Sequence, residues 1–194
     1  MSPLIAKLVW LAGVVVWYVI RYPYARRSRR MPSLVRQNPK LESVLLLIAT
    51  IGLGIIPAVY VVGGWPQAAD YHFRKWQGWL GMFVFGVALV LFRLSHKQLG
   101  RNWSVTLEVR DQHTLVTKGV YSRIRHPMYA AFWLWAFAQA LLLPNWFAGG
   151  AGIVGFGTLF FVRVGAEEKL MLEKFGNAYD QYMKQTWRIL PGIY

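Results

Sequence analysis

The sequence predicts an all-α integral membrane protein with five transmembrane helices. The 194-residue chain is 56% hydrophobic and only 15% charged, a composition typical of membrane proteins. Apolar stretches long enough to cross, or nearly cross, a hydrocarbon core of about 30 Å recur five times. They lie at about 4–20, 43–62, 77–94, 128–143 and 146–163. The first and fourth are short for a vertical span.

The first apolar stretch is interpreted as a retained helix rather than a signal peptide. It lacks a basic region at its start and a small-residue cleavage site before the arginines that follow. The next segment, residues 21–40, is rich in Arg, Pro and Ser and contains no acidic residue. We therefore expect residues 21–40 to form a loop that lies against lipid headgroups.

The basic residues indicate the orientation in the membrane. Nineteen of the 22 Lys and Arg residues lie in 21–40, 93–125 and 163–188. The positive-inside rule then places both long loops and the C-terminal tail in the cytoplasm and the N-terminus outside. The net charge of +14 is thus attributed to topology and to anionic lipid, not to nucleic acid. The chain contains no cysteine, so disulfides, thiolate metal sites and a cysteine nucleophile are excluded, and no metal is expected.

The fourth and fifth helices are predicted to form a tight antiparallel hairpin, because only Pro144, Asn145 and a residue or two separate them. Within the fifth, Gly150, Gly152 and Gly155 spell GxGxxG. A dinucleotide site requires a preceding strand, which an apolar span does not provide. Small residues four apart instead indicate close helix contact. The whole chain, 1–194, is predicted to form one membrane domain, with a two-helix region at 1–75 and a cofactor-binding catalytic core at 76–194.

Two polar segments precede the hairpin. HTLVTKGVY, residues 113–121, alternates Thr and Val around a turn at Gly119. It is either an interfacial loop with Tyr121 in the aromatic belt, or a segment whose backbone groups bind an extended ligand. In RHPMY, residues 125–129, two cationic or potentially cationic side chains precede a helix that begins at Pro127. They indicate either positive-inside anchoring or an anion bound at this helix N-terminus.

A third segment supplies charges from the end of the fifth helix. Arg163 and Glu167 are four residues apart and share a helix face. They are either a snorkelling arginine with its partner, or a functional pair, since ionisable groups near the bilayer usually have a function. Because the hairpin helices meet on the cytoplasmic side, both are expected to converge with Arg125, His126 and Tyr129. Such a pocket offers partners for every group of S-adenosylmethionine: carboxylate, amine, ribose hydroxyls and sulfonium cation.

The order and spacing of three segments resemble those of the isoprenylcysteine carboxyl methyltransferase family. The segments are HTLVTKGVY, RHPMY, and Arg163 followed by Glu167, Glu168 and FGNAYDQY. The phospholipid N-methyltransferases are close relatives of that family, and the resemblance covers roughly residues 78–192. It implies an S-adenosylmethionine-dependent membrane enzyme that methylates a lipid-attached acceptor, most similar to an isoprenylcysteine carboxylate, and releases S-adenosylhomocysteine. The implied cofactor contacts are His113, Thr114, Leu115, Val116, Tyr121, His126, Pro127, Met128, Tyr129 and Glu167. Arg125, just before the helix that begins at Pro127, is also expected to bind the cofactor. Arg163 is implied to contact the methyl acceptor, and Arg163 and Glu167 are the expected catalytic residues.

Three alternatives remain open at this stage. Phosphatidylethanolamine as acceptor requires the amine to lose a proton, for which His126 or Glu167 is available, whereas a carboxylate is already ionised at neutral pH. Sterol reductases resemble the same C-terminal hairpin but use a nicotinamide cofactor, and the paired Glu167 and Glu168 favour the methyltransferase. A membrane scaffold without catalysis is the third. The expected partners are the bilayer and a lipid-modified acceptor.

Overall fold

The computed structural model describes residues 1–28, 35–36, 38–104, 108–109 and 114–194, with the backbone alone at 35–36 and 108–109. Its helices are α1 (Pro3–Ser28), α2 (Pro39–Thr50), α3 (Ile56–Gly63), α4 (Lys75–Leu99), α5 (Pro127–Leu142), α6 (Trp146–Phe175) and α7 (Asn177–Gln185). A π-helical turn, Ile51–Ile55, joins α2 to α3, and 3-10 turns lie at Gln67–Ala69, Gly100–Asn102 and Gly119–Ser122. Strands β1 (Val35–Arg36) and β2 (Glu108–Val109) pair antiparallel and link the two long loops.

The predicted all-α membrane class is confirmed. In the described part of the chain, four helical segments are long and apolar enough to cross a membrane: Pro3–Ser28, Pro39–Gly63, Lys75–Asn102 and Trp146–Phe175. Large apolar side chains such as Leu4, Val62 and Phe83 point outward from these segments, as a hydrocarbon environment requires. The fifth predicted span, α5, has 16 residues and is about 24 Å long, shorter than the core of about 30 Å. Five spans therefore remain a prediction.

Two helices extend beyond the predicted boundaries. The first is not short, because α1 continues through Arg26 and Arg27 to Ser28 and occupies residues that were predicted as loop. Arginine is a good helix former, and its long side chain reaches polar surroundings while the backbone stays helical. Likewise Arg163 does not end the fifth helix, since α6 runs on to Phe175 through a segment rich in Glu, Lys and Leu. Both acidic residues of the predicted site therefore lie on a continuous helix.

The predicted hairpin of α5 and α6 is confirmed, and Asn145 fixes its turn. The Asn145 side chain accepts a hydrogen bond from the backbone N–H of Ala148, 2.8 Å away, and so caps α6. Its Nδ2 donates to Asp70 Oδ1 and to the backbone carbonyl of Pro66, each at 2.7 Å. The turn is thereby attached to the α3–α4 connection, at the end of the hairpin remote from Arg163 and Glu167.

The glycines of α6 pack helices together, as predicted for Gly152 and Gly155. A Cβ atom on Gly155 would lie 2.8 Å from the carbonyl oxygen of Ile48, and one on Gly52 would lie 2.3 Å from that of Ala151. The backbone of α6 is therefore in direct contact with that of α2 and its following π-helical turn, which together are called the α2 π-turn segment. Gly150 has open space where its Cβ would be, so it takes no part in this contact.

We expect Gly52→Ala to destabilise the protein by about 1–3 kcal/mol, because the added methyl group must displace backbone rather than a flexible side chain. Thermal unfolding in detergent measures the effect. Gly150→Ala is the matched control and should leave the melting temperature unchanged or raise it, since Ala has the higher helix propensity. Equal effects of the two substitutions would contradict the close contact of α6 with the π-turn.

The C-terminal tail is fastened to the segment that precedes α5. The backbone N–H groups of Arg125 and His126 donate to the carbonyls of Trp187 and Arg188, at 2.8 and 2.9 Å. The Tyr182 hydroxyl donates to the backbone carbonyl of Tyr121 at 2.6 Å. These contacts hold α7 over the end of the hairpin where Arg163 and Glu167 lie.

Candidate active site

A cavity of about 320 Å³ lies where α1, the α2 π-turn segment, α5, α6 and α7 meet. The polar part of its wall includes the side chains of Tyr121, Tyr129, Arg163, Glu167 and Tyr182. The larger part is apolar and includes Val14, Trp17, Leu46, Leu53, Phe132, Trp135, Phe156 and Leu159. The volume is at the lower end of the range of about 300–1,000 Å³ found for small-molecule pockets. An elongated ligand with a polar end and an apolar end matches this wall.

Most predicted site residues line this cavity. They are Thr114, Leu115, Val116, Tyr121, Arg125, His126, Met128, Tyr129, Arg163 and Glu167. Pro127 does not line it; this residue is buried in the first turn of α5, which it begins, and its neighbours form the wall. His113 lies outside the described residues. Tyr121 is buried rather than placed in an aromatic belt, so residues 114–121 form part of a pocket and not merely an interfacial loop.

Glu167 is the centre of the polar part of the cavity wall. The Tyr129 hydroxyl donates a hydrogen bond to Glu167 Oε2, and His126 Nδ1 lies 3.8 Å from Oε1. The rings of His126 and Tyr129 stack with centroids 5.4 Å apart. Arg163 Nε lies 3.8 Å from Glu167 Oε2. The expected convergence of these four side chains is therefore present, and the Glu167 carboxylate, 25% exposed, keeps an open edge toward the cavity.

Arg163 is held between two carboxylates, which the sequence did not predict. Its Nη1 contacts Glu42 Oε1, in the first turn of α2, at 2.9 Å. The two side chains are only 11% and 7% exposed, so Arg163 does not snorkel into water. Among the described residues no atom accepts a hydrogen bond from its buried Nε. Arg163 lines the cavity, while this Nε is itself covered by neighbouring atoms.

Glu168 does not line the cavity and binds Arg125 and His126, which precede α5, and Arg188 of the C-terminal tail. Arg125 Nε lies 2.7 Å and His126 Nε2 3.3 Å from Glu168 Oε1, and Arg188 Nη2 lies 2.7 Å from Oε2. Arg125 Nη1 also donates to the backbone carbonyl of Thr186. Two nitrogens of Arg125 are therefore bound within the chain, although the residue also lines the cavity, and its contact with a ligand stays a prediction.

Glu168→Gln should lower the melting temperature clearly, because it leaves the buried cations around it without their countercharge. Loss of one partner of a buried ion pair costs about 3–5 kcal/mol, and the discount for the partly exposed Arg188 brings the expected effect to the lower end. Thermal unfolding in detergent measures it. An unchanged melting temperature would show that the C-terminal tail is held by backbone hydrogen bonds alone.

Three tyrosines outside the membrane-spanning helices complete the polar wall. Burial raises the pKa values of Tyr121, Tyr179 and Tyr182, and for Tyr121 and Tyr179 the nearby negative charge of Glu167 raises them further. All three remain neutral phenols at physiological pH, which adds no negative charge to a site that already contains Glu167.

The segment at 114–122 is fixed by α4 and by the turn that follows it. Asn102 Nδ2 donates to Thr114 Oγ1 at 3.0 Å, and Asn102 Oδ1 accepts from the Thr114 backbone N–H at 3.2 Å. Gly119 adopts φ +66°, as its predicted turn requires, and a Cβ there would overlap the Gln98 side chain. These contacts place Thr114, Leu115 and Val116 against the cavity.

A model of the isoprenylcysteine carboxyl methyltransferase family matches residues 79–173. The match covers just under half of the chain. A protein-S-isoprenylcysteine O-methyltransferase of Dictyostelium discoideum is 31% identical over 128 residues, which cover 63% of this chain and 52% of the relative. One of Xenopus laevis is 32% identical over 188 residues, covering 91% of this chain and 64% of the relative. The chain thus spans between about half and two thirds of the length of these relatives.

The fold is also that of a solved structure, a eukaryotic intramembrane Ras methyltransferase of the isoprenylcysteine carboxyl methyltransferase family. The match has a TM-score of 0.65 at 22% sequence identity and covers all of this chain and 69% of the other. The family resemblance derived from the sequence is confirmed. The mixed cavity beside α5 and α6, to which the matched residues contribute, is the candidate active site.

Several residues of this cavity, and Glu42 beside it, were not predicted from the sequence. Glu42 contacts Arg163 rather than lining the cavity, although an acidic residue at the edge of an apolar stretch is the kind of ionisable group that suggests function. Trp17 and Asn102 carry no recognisable motif. Tyr179 and Tyr182 belong to the motif FGNAYDQY but were not predicted as site residues. The structure shows that α7 brings both to the cavity.

Proposed function

We propose that the protein is an integral membrane methyltransferase that uses S-adenosylmethionine to esterify the carboxylate of an isoprenylcysteine-like acceptor. One observation carries this proposal: a single cavity joins the buried charges of Arg163 and Glu167 to an apolar wall inside the bundle. The relatives that share 31–32% identity with the chain are named protein-S-isoprenylcysteine O-methyltransferases. The catalytic core would comprise residues 76–194, with α1 and α2 completing the cavity wall.

The residues in the polar part of the cavity wall fit the groups of S-adenosylmethionine. When bound, the cofactor supplies a methyl group on a sulfonium, which a carboxylate oxygen accepts to give the ester and S-adenosylhomocysteine. Glu167 offers a carboxylate oxygen to an amine or to ribose hydroxyls, and Tyr129 holds that carboxylate in place. By family resemblance the remaining contacts would come from His113, Thr114, Leu115, Val116, Tyr121, His126, Pro127 and Met128.

The acceptor would lie along the apolar part of the cavity wall, with its carboxylate at Arg163. The guanidinium is largely buried, lines the cavity and contacts Glu42 through Nη1, so it can bind and orient an anion there. No general base is required, because a carboxylate is ionised at neutral pH. The chain would accelerate the reaction by holding the two reactants in proximity and by excluding water from the buried charges.

A methyl-transfer assay tests the proposal directly. Purified protein in proteoliposomes is given labelled S-adenosylmethionine with a prenylated thiol acid, the same thiol acid without its prenyl chain, or phosphatidylethanolamine. We expect transfer to the prenylated acid, with a large loss of turnover for the acid that lacks the apolar chain. Transfer to phosphatidylethanolamine alone would replace the carboxylate acceptor with an amine. Affinity for a reduced nicotinamide but not for S-adenosylhomocysteine would refute the methyltransferase.

The proposed orientation places the N-terminus outside and the C-terminus in the cytoplasm, with the candidate site at the cytoplasmic surface. The absence of cysteine from the sequence makes single-cysteine labelling unambiguous. We expect Ser2→Cys to react with a membrane-impermeant maleimide in intact cells and Ile193→Cys to react only after permeabilisation. The reverse pattern would contradict the orientation.

A further inference from the structure

We propose that Glu42 is a positioning residue for the reaction: it holds the Arg163 guanidinium so that its remaining donors face the acceptor. The inference rests on the proposed function and assigns a part in it to the N-terminal helices, for which the sequence offers no motif. Glu42 belongs to α2, whereas Arg163 belongs to α6, and their side chains meet at 2.9 Å.

The contact is not needed to attach α2 to α6. The two backbones already touch where Gly155 meets the Ile48 carbonyl and where Gly52 meets the Ala151 carbonyl. Gln139 adds a hydrogen bond to the Gly52 carbonyl at 3.0 Å from the side of α5. A buried ion pair is a poor means of docking helices, since well-packed apolar residues in its place are often equally or more stable. Another role for the Glu42 carboxylate is therefore indicated.

The geometry shows what Glu42 does to Arg163. Without it, the closest described carboxylate to this guanidinium would be that of Glu167, whose oxygen lies 3.8 Å from Nε. The guanidinium would then turn toward Glu167 and occupy the open edge of the group proposed to bind the cofactor. Glu42 instead binds Nη1 at 2.9 Å, and in the observed position Arg163 lies between the two carboxylates and lines the cavity.

Two neighbouring carboxylates also set the charge of the site. Glu42 and Glu167 both lie close to the guanidinium of Arg163. Each carboxylate offsets part of its positive charge. Glu42 thus weakens the repulsion between Arg163 and a cationic cofactor.

The test compares Glu42→Gln with Glu42→Asp in detergent-purified protein and in proteoliposomes. Gln keeps the size and one acceptor oxygen but removes the charge, whereas Asp keeps the charge on a shorter side chain. We expect Glu42→Gln to lower kcat/KM for the prenylated acid by about 10- to 100-fold, mainly through KM, because a small displacement of an orienting group has effects of that size. Affinity for S-adenosylhomocysteine should stay within about threefold, and Glu42→Asp should recover part of the loss.

Glu173→Gln is the matched control, since it removes an exposed carboxylate from α6 at a distance from the cavity. It should leave acceptor KM and cofactor affinity unchanged. The double variant Glu42→Gln with Arg163→Gln should be no worse for acceptor binding than Arg163→Gln alone, because Glu42 acts through Arg163.

Three results would overturn the positioning role. One is an unchanged acceptor KM in Glu42→Gln. Another is an equal fall in cofactor affinity and acceptor use, which would indicate a general structural role. The third is an additive effect in the double variant. If the wild-type protein transfers no methyl group to any acceptor, the proposed function fails instead, and S-adenosylhomocysteine titration of the wild type separates that case from failure of the positioning role.

Discussion

Arg163→Gln should reduce methyl transfer to a prenylated carboxylate by about 100-fold or more and leave S-adenosylhomocysteine affinity nearly unchanged. The physical reason is that the acceptor carboxylate loses the guanidinium that orients it, whereas the Glu167 edge facing the cavity remains. Gln is preferred to Ala because its amide can still donate a hydrogen bond to the buried Glu42 carboxylate.

The measurement combines the labelled-methyl assay with calorimetric titration of S-adenosylhomocysteine in detergent. Lys169→Gln, which removes an exposed cation from the same helix, serves as the control and should retain full turnover. Were Arg163→Gln to transfer methyl groups at the wild-type rate, the carboxylate-acceptor account would be untenable and an amine lipid would become the preferred acceptor.

Glu167→Ala should have the opposite profile, in which cofactor binding is lost first. The loss of a charged hydrogen bond is worth about 1.5–3 kcal/mol, equivalent to a decrease in S-adenosylmethionine affinity of roughly 10- to 150-fold. Tyr129→Phe, which removes the hydroxyl bound to Glu167, should cause a smaller decrease in the same quantity. Titration of both variants with S-adenosylhomocysteine measures the two effects.

The control for Glu167 is again Glu173→Gln, because this exposed carboxylate on the same helix should be dispensable for binding. Unchanged cofactor affinity in Glu167→Ala would place the cofactor elsewhere. If Glu167→Ala and Arg163→Gln lower cofactor affinity and turnover equally, the two residues act only as a structural ion pair. Their spacing of four residues allows such a pair.

The sequence predicts much of this fold because its signals are local. Apolar length predicts the helices, Pro127 predicts the start of α5, and the short connection at Asn145 predicts the hairpin. The ends of α1 and α6 were misplaced because charged residues were taken to end a helix, whereas Arg, Glu and Lys are good helix formers. Apolar length identifies where lipid can surround a helix, not where the helix ends.

The candidate site was predictable where its residues share a helix or adjoin the hairpin. Arg163, Glu167 and Tyr129 converge because the antiparallel hairpin places the start of α5 beside residues 163–167 of α6, and this geometry follows from the short turn. The contact of Glu42 and the bonds of Glu168 were not predictable, since each joins side chains that are distant along the chain. Arg125 illustrates the difference: it lines the cavity as expected, but its ion pair with Glu168 was not predicted.

The central claim is that the cavity directs a methyl group to the carboxylate of an acceptor with an apolar chain. A competition assay tests it most directly: the protein in phosphatidylethanolamine liposomes receives a prenylated thiol acid and labelled S-adenosylmethionine, and the alkali lability of the labelled product is measured. A methyl ester releases its label as methanol under alkali, whereas an N-methylated lipid does not. The account predicts an alkali-labile product whose formation is lost in Arg163→Gln; an alkali-stable label on phosphatidylethanolamine would contradict it.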